Sequence, residues 1–275
     1  MSSFNNKVVV ITGGGGVLCS AIARAFLDQG ARVALLDINE RFGDDLQANS
    51  GNFSSDHLLS FTCDVLSAGD LKFVRKAIND EWGRVDILIN GAGGNHPRGS
   101  VNQSFFDRAG NEGKTFFDLL PEDFRQVFDL NFLGTFLPTQ VFAQDMTERG
   151  QGCILNISSM NAFRPLTKIP AYSSAKAAVS NFTQWAAVHF AKAGIRVNAL
   201  APGFFLTHQT QFLLMQEDGN YSLRGEAVIE HTPMGRFGNP DDLLGAVLWL
   251  CGEDAKFVTG VVVPIDGGFS AYSGV

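Results

Sequence analysis

Seven short apolar runs recur along the 275-residue chain, and they constrain its fold more than any other feature. The runs are rich in Val, Ile and Leu and do not alternate with polar residues, which is typical of strands buried on both faces of a parallel sheet. They begin at residues 7, 32, 58, 85, 153, 196 and 261. Helix-like segments separate them. The sequence therefore predicts an α/β fold with a doubly wound, parallel, seven-stranded sheet and helices on both faces.

The length of the chain fits one large α/β domain, and neither a linker nor an internal repeat divides it. We therefore expect residues 1–275 to form a single domain. Two segments, about 94–120 and 203–238, exceed ordinary loop lengths. Such segments serve as lids or binding loops over a site, or they elaborate the surface, and the sequence alone leaves both interpretations open.

Composition excludes several classes of function. The formal net charge is −7 and no basic run occurs, so nucleic acid is not an expected partner. The N-terminus has no apolar signal core and no run approaches the roughly 18 residues of a membrane span, so we expect a cytoplasmic protein without a membrane partner. The four cysteines have no metal-like spacing. They are expected to be free thiols, and no metal site is predicted.

A glycine-rich loop joins the first predicted strand to the first helix, in the stretch VVVITGGGGVLCSAIARAF at residues 8–26. Glycines allow a sharp turn and a close approach of the backbone to a ligand. The free amides at the start of the helix suit a pyrophosphate, as in a Rossmann-like dinucleotide site. A tight strand–helix turn without a ligand is the alternative interpretation of the same glycines.

Asp37 favours the dinucleotide interpretation. It ends the second predicted strand, 24 residues after Gly13, where a carboxylate accepts hydrogen bonds from both hydroxyls of an adenosine ribose. A carboxylate there repels a 2′-phosphate, and the first arginine that follows is Arg41. These residues predict NAD as the cofactor and disfavour NADP. The alternative is that Asp37 only caps a helix.

A tyrosine and a lysine supply the candidate chemistry. Tyr172 and Lys176 stand four residues apart in a helix-like stretch, and they therefore share one helical face. A nearby ammonium is expected to lower the pKa of the phenol, which then exchanges a proton with a substrate oxygen. Ser159, at the carboxyl end of the fifth predicted strand, is placed to hold the same oxygen. Tyrosine and lysine at this spacing also occur on ordinary surface helices.

Taken together, these motifs resemble the short-chain dehydrogenase/reductase family over nearly the whole chain. The residues that follow the order and spacing of the family are Thr12-Gly13, Asp64, NGAG at 90, Asn131, Ser159, Tyr172, Lys176, Pro202-Gly203 and DGG at 266. The resemblance implies a catalytic tetrad. In it Tyr172 is the acid/base, Ser159 orients the substrate oxygen, Lys176 binds the nicotinamide ribose and Asn131 holds a proton-relay water.

The resemblance also indicates which residues bind the cofactor. They are Gly13, Gly15, Gly16, Val17, Leu18, Asp37, Ile38, Asp64, Val65, Asn90, Gly91, Ala92, Tyr172, Lys176, Pro202, Gly203, Phe205 and Thr207. The chain departs from the family at the glycine loop, because Val17 and Cys19 stand where the family has glycines.

Four segments of the sequence resemble those of the subgroup of D-mannonate oxidoreductases, or fructuronate reductases. They are TGGGGVL, NHPR, SSMNAF and PGFFLT. The subgroup implies hydride transfer between a nicotinamide cofactor and a sugar acid. The candidate substrate residues are Gly94, His96, Arg98, Ser159, Asn161, Arg164 and His208. The alternatives are the same chemistry on another polyol, aldonate or keto-acyl substrate, or a non-catalytic NAD-binding regulator. An intact tetrad argues against the regulator.

The helices around residues 121–147 and 172–193 carry more large apolar residues than one face against a sheet needs. Members of the family usually pair these helices in a homotetramer. The resemblance therefore implies a symmetric tetramer as the assembly.

Overall fold

The computed structural model describes residues 4–40, 55–108, 113–207 and 210–274. Its centre is a seven-stranded, all-parallel sheet in the order β3-β2-β1-β4-β5-β6-β7. The strands are β1 (Val8–Thr12), β2 (Arg32–Asp37), β3 (Leu58–Thr62), β4 (Ile87–Asn90), β5 (Gly152–Ile157), β6 (Ile195–Pro202) and β7 (Val262–Ile265). The seven apolar runs thus form the seven strands, and the predicted doubly wound α/β fold is confirmed.

Helices cover both faces of the sheet. The described helices are α1 (Val17–Asp28), α2 (Ala68–Trp82), α3 (Pro121–Phe128), α4 (Gly134–Arg149), α5 (Pro170–Phe190), α6 (Gln211–Leu214), α7 (Leu223–Glu230) and α8 (Asp241–Cys251). Side chains of α1 and α8 pack on one face of the sheet, and those of α2, α4 and α5 pack on the other. None of the helices in the described part of the chain is long and apolar enough to cross a bilayer.

The strand order places a crevice at the centre of the sheet. The chain runs outwards through β1, β2 and β3 and then returns to add β4 on the other side of β1. The loops that follow β1 and β4 therefore diverge to opposite faces. In open α/β sheets a ligand lies in the crevice beyond the carboxyl ends of the strands at this reversal.

The two long segments differ in structure. Within the first, the described residues form two short 3₁₀ turns, Pro97–Gly99 and Phe116–Asp118. The second contains α6 and α7, so its described residues include helices as well as loops. Ser222 begins α7 by accepting a hydrogen bond from the Gly225 amide at 3.0 Å. This cap accounts for a helix where the sequence suggested only a long connection.

Candidate active site

The glycine loop turns sharply because Gly13 adopts a left-handed backbone conformation. Its φ is +69°, and a Cβ at this position would lie 2.9 Å from the backbone nitrogen of Ala92. Both restrictions favour glycine over any other residue. Gly16 begins α1 without a side-chain cap. The first-turn amides of α1 have no acceptor within the helix and are suited to bind an anionic oxygen.

The contacts of Cys19 explain why a thiol is accepted where the family has glycine. The thiol donates to the Thr12 carbonyl at 3.6 Å, and the Thr12 hydroxyl accepts from the Gly91 and Ala92 amides at 3.1 and 3.2 Å. A Cβ on Gly91 would overlap the Cys19 sulfur, so the bare backbone at residue 91 makes room for it. Burial, together with the charge of Asp37, raises the pKa of Cys19 to about 12. Cys19 is therefore a neutral packing residue that joins α1 to the loop after β4.

The carboxylate of Asp37 lies against the glycine loop. Its Oδ2 accepts a hydrogen bond from the Gly15 amide at 2.9 Å. Its Oδ1 accepts from the backbone and side-chain amides of Asn39 at 3.0 and 2.9 Å. The neighbouring Ile38 is 67% exposed. Asp37 is thus held in position next to the turn that would bind a pyrophosphate, while Arg41 lies outside the described residues.

A groove of about 530 Å³ follows the carboxyl ends of the strands. This volume lies within the roughly 300–1,000 Å³ of pockets that bind small molecules and cofactors. The residues predicted from the sequence that line it are Gly13, Gly15, Gly16, Val17, Leu18, Asp37, Ile38, Asp64, Val65, Gly91, Ala92, Gly94, Ser159, Tyr172, Lys176, Pro202, Gly203, Phe205 and Thr207. The fold therefore brings most of the predicted cofactor residues and the reactive side chains into one groove.

Other lining residues were not predicted from the sequence. They are Cys19, Asn39, Cys63, Leu130, Ile157, Ser158, Phe204 and Thr210, whereas the lining residue Gly93 belongs to the predicted NGAG motif. Most of them adjoin a predicted residue in the sequence, so widening each motif by one or two positions would have found them. Leu130 is one of these, because it directly precedes Asn131, although Asn131 itself does not line the groove.

Ser159 and Tyr172 lie at the inner end of the groove. The Ser159 hydroxyl oxygen accepts a hydrogen bond from the Asn161 amide at 3.2 Å, which fixes the serine at the start of the turn Met160–Ala162. Burial raises the pKa of Tyr172, and a hydrogen bond with Ser159 partly offsets this rise. The direction of the pKa shift is opposite to the lowering expected from Lys176, because burial is its largest cause.

Lys176 is buried beside the tyrosine. Its Nζ lies 5.7 Å from the centroid of the Tyr172 ring and donates a hydrogen bond to the Ile157 carbonyl at 2.7 Å. Burial lowers the pKa of Lys176 to about 8. A Cβ on Gly93 would lie 3.2 Å from this Nζ, so the glycine lets the loop after β4 approach the ammonium. An ammonium has three donors, so the bond to Ile157 leaves capacity for a ligand.

Asn131 lies in a π-helical segment, Asp129–Leu133, between α3 and α4. Its Nδ2 donates to the carbonyls of Gly94 and Val127, both at 2.8 Å, and its Oδ1 accepts from the Gly94 amide at 3.1 Å. The side chain is fully buried and does not line the groove itself. In this structure the Asn131 side chain holds the loop after β4 beside Lys176 through its hydrogen bonds to Gly94. Segments of this kind often occur at functional sites.

Asn90 does not contact the groove, although it was predicted to bind the cofactor. The side chain is buried, and its Nδ2 donates to Thr139 Oγ1 at 2.9 Å and to Asn156 Oδ1 at 2.8 Å. It joins β4 to β5 and α4. The Asn90 side chain is thus turned away from the groove, and cofactor binding by this residue stays a prediction.

Three candidate substrate cations, His96, Arg98 and Arg164, lie outside the lining of the groove. His96 Nδ1 accepts from the Arg98 amide at 3.2 Å, so a neutral ring carries its proton on Nε2. The Arg98 guanidinium is 3.5 Å from Asp123 and donates to Gln126 at 3.1 Å. The Arg98 side chain therefore contacts α3 and not the groove. His208 lies outside the described residues.

Two further substrate candidates follow Ser159. Asn161 is 4% exposed, and its Oδ1 has no hydrogen-bond partner among the described residues. Arg164 points to the end of the chain, where its Nη1 donates to the Tyr272 carbonyl at 2.7 Å. Neither side chain lines the groove. In the described part of the chain no three His, Cys, Asp or Glu side chains are grouped to hold a metal ion.

The groove fits a dinucleotide. Gly13 leaves no room for a Cβ, α1 begins without a cap, and carboxylates stand at the β2 and β3 end while a tyrosine, a serine and a lysine stand at the β5 end. A phosphate-binding centre with a ribose acceptor on one side and proton-transfer groups on the other matches the parts of a nicotinamide dinucleotide.

Residues 17–270 match a family model described as enoyl-(acyl carrier protein) reductase. An uncharacterized oxidoreductase of Haemophilus influenzae is 50% identical over 275 residues, which are 99% of this chain and 96% of that protein. The chain belongs to the short-chain dehydrogenase/reductase family. The chain is also 48% identical to UxuB, an uncharacterized oxidoreductase of Bacillus subtilis, over 274 residues that cover 98% of this chain and 96% of that protein.

A crystal structure of a relative supports the same family. It comes from Haemophilus influenza, holds bound NAD and is described as a proposed D-mannonate oxidoreductase. Its identity to this chain is 50% and its TM-score is 0.92, over 100% of this chain and 98% of that one. The family model and this structure name different substrates, so membership of the short-chain dehydrogenase/reductase family leaves the substrate open.

Proposed function

We propose that this protein is an NAD-dependent oxidoreductase that interconverts D-mannonate and D-fructuronate. The observation that carries the proposal is the convergence of Ser159, Tyr172 and Lys176 in the groove of a chain half identical to a proposed D-mannonate oxidoreductase with bound NAD. In one direction a secondary hydroxyl of the aldonate becomes a ketone, and it loses a hydride and a proton. The reverse direction returns both to the ketone.

The residues at the inner end of the groove handle the proton. In the reducing direction the Tyr172 phenol protonates the carbonyl oxygen, and the Ser159 hydroxyl holds that oxygen by a second hydrogen bond. The raised pKa of Tyr172 keeps the phenol protonated and ready to donate. The nicotinamide, when bound, supplies or accepts the hydride. The Lys176 ammonium, which is held by the Ile157 carbonyl, stabilises the phenolate that the proton transfer leaves behind.

Asn131 serves as a positioning residue in this proposal. Its amide bonds both backbone polar groups of Gly94, and Gly93 and Gly94 line the groove. The loop after β4 is thereby fixed against Lys176, where a nicotinamide ribose would lie. The proton-relay water implied by the family resemblance remains a prediction.

The charge around the groove supports NAD over NADP. Asp37 and Asp64 line the end where the adenosine would bind, and Lys176 is the one cation among the described lining residues. A 2′-phosphate beside Asp37 would meet repulsion, and no guanidinium among the described lining residues compensates for it. We expect the double variant Asp37→Ser, Ile38→Arg to shift the NADP/NAD ratio of kcat/KM upwards by about 10-fold or more, as loss of a charged contact allows. An unchanged ratio would remove Asp37 from the ribose site.

The substrate carboxylate requires a cation, since the chain carries a formal net charge of −7. His96 is the described candidate closest in sequence to the groove, two residues after Gly94, and its Nε2 is the nitrogen not bound to Arg98. We therefore infer that His96 hydrogen-bonds the sugar acid. The direct test compares His96→Ala on a hexuronate and on its uncharged sugar analogue. Equal losses on both substrates would show that His96 does not recognise the carboxylate.

A substrate panel tests the proposed function itself. D-fructuronate, other hexuronates and aldonates, uncharged polyols and a 3-ketoacyl thioester are each assayed by the absorbance of NADH, with NADPH in parallel. The proposal predicts the highest kcat/KM with NADH and D-fructuronate. A higher kcat/KM with a polyol or a ketoacyl thioester would show that this compound, and not the sugar acid, is the substrate. NADH binding without turnover on any compound would favour a non-catalytic binder.

A further inference from the structure

The last described segment of the chain, residues 266–274, forms a compact turn that we call the strap. Asp266 organises it, because its carboxylate accepts hydrogen bonds from the Gly268 and Ser270 amides, both at 2.9 Å. The amides of Ala271 and Tyr272 both donate to the Gly268 carbonyl at 3.1 Å. The strap is therefore a folded element with its own hydrogen bonds.

One end of the strap contacts the groove through Phe204. The Phe269 ring packs edge-on against the Phe204 ring with 5.2 Å between centroids. Phe204 follows β6 and lines the groove. The Met234 amide donates to the Gly267 carbonyl at 3.1 Å, which attaches the strap to the long segment 203–238. This part of the strap belongs to the lip of the groove that follows β6.

The other end of the strap reaches the opposite lip. Arg164 Nη1 donates to the Tyr272 carbonyl at 2.7 Å. Arg164 lies five residues after Ser159, and its own amide donates to the Met160 carbonyl at 3.1 Å. A charged hydrogen bond thus joins the strap to the turn that carries the substrate-orienting serine. The strap consequently connects the segment that follows β6 with the turn that follows β5, and these two segments supply Phe204 and Ser159 to the lining of the groove.

We propose that the strap is the outer wall of the sugar-acid pocket and that Arg164 is the positioning residue that latches it. The location of the pocket between Ser159 and Phe204 rests on the proposed function. The latch holds the strap across the end of the groove where Ser159 and Tyr172 lie, so it sets the affinity for substrate and leaves the cofactor end unchanged. Arg164 thereby acts through the strap rather than on the substrate carboxylate.

The chemistry of the contact supports this assignment. The acceptor is a backbone carbonyl, so the latch does not depend on the side chain at residue 272. A charged donor to a carbonyl forms one of the stronger classes of hydrogen bond. The Asp266 carboxylate is occupied by the Gly268 and Ser270 amides, and the Arg164 guanidinium is bonded to the strap through the Tyr272 carbonyl.

A double-mutant cycle tests the latch. Arg164→Ala and a chain that lacks residues 272–275 should each raise the KM for D-fructuronate by about 10-fold, the lower range for a charged hydrogen bond. The combined variant should be no worse than either alone, because both remove the same contact. Arg224→Ala, an exposed arginine on α7, is the matched control and should leave KM unchanged. Full additivity of the two changes would overturn the latch and show that Arg164 acts on the substrate directly.

Hydrogen exchange separates this inference from the proposed function. The amides of residues 266–274 are followed in the protein without substrate, so the result does not depend on turnover. Arg164→Ala should speed their exchange by about 10-fold, the change expected for a strap that has lost a charged hydrogen bond, while the core strands stay protected. Unchanged exchange in the strap would overturn the latch, whatever the substrate panel shows. Failure of the panel alone would leave the latch in place.

Discussion

At the scale of single residues, the chemistry depends on Tyr172 and its two neighbours. Ser159 opposes the rise in the tyrosine pKa that burial produces, and Lys176 lies 5.7 Å from the ring. The ammonium is itself destabilised by burial, and its pKa falls to about 8. A buried phenol next to a serine and a lysine is suited to exchange one proton with a bound oxygen.

Replacing Tyr172 with Phe removes the proton donor and keeps the ring. We expect kcat to fall by about 10²–10⁴-fold, which is the usual contribution of a positioned acid or base. NADH affinity should change little, since the ring still packs in the groove. Steady-state kinetics together with NADH fluorescence titration measure both. A variant with more than about half of the wild-type kcat would exclude Tyr172 as the proton donor.

The reactive residues could be predicted from the sequence because each belongs to a local motif, whereas their electrostatics could not. The spacing of Tyr172 and Lys176 fixes a shared helical face, but the net direction of the tyrosine pKa depends on burial by residues distant in the chain. The same limit applies to Arg164. Its position after Ser159 suggested a substrate contact, and only the fold shows that the Tyr272 carbonyl lies opposite its guanidinium.

At the scale of elements, the strand–loop–helix unit around Gly13 was predictable, and the reason it accepts Cys19 was not. The thiol occupies space that Gly91 leaves free, and Gly91 follows a different strand. The π-helical segment Asp129–Leu133 was likewise not predictable, because its sequence is typical of a continuous α-helix. This segment places the Asn131 side chain where it forms hydrogen bonds with the Gly94 backbone. Contacts between distant segments decide both cases.

Cys19→Ala tests the packing function of the thiol. The variant loses the hydrogen bond to the Thr12 carbonyl and a small buried volume, so the free energy of unfolding should fall by about 1–2 kcal/mol. NADH affinity should stay within about threefold of wild type, a change of less than the 1.4 kcal/mol that corresponds to tenfold. Denaturant unfolding and NADH titration measure the two effects. Loss of NADH binding with unchanged stability would show that the thiol contacts the cofactor.

At the scale of the whole molecule, the topology was predictable because strands buried on both faces leave a strong apolar signal. The surface of α5 carries a group of exposed apolar side chains. Trp185 and Val188 are 56% and 81% exposed, and Trp185 stacks between Phe182 and His189 with centroids 6.1 and 4.6 Å away. Large exposed apolar side chains in one area are typical of an interface between subunits.

We therefore propose a symmetric homotetramer in which this aromatic face is covered by a second copy. Light scattering at micromolar protein should give a mass about four times that of the 29.7 kDa chain. Val188→Glu should shift the distribution to smaller species, because it places a charge in an apolar contact. A monomeric wild-type mass would contradict the proposed assembly.

The measurement that tests the central claim most directly is the transfer of label from the cofactor to a sugar acid. The enzyme is given NADH that carries deuterium at the reactive C4 position, together with D-fructuronate, and the product is analysed by mass spectrometry. The account predicts D-mannonate with one deuterium on the former carbonyl carbon, formed by wild type and lost with Tyr172→Phe. Absence of labelled mannonate in wild type, under conditions where NADH binds, would contradict it.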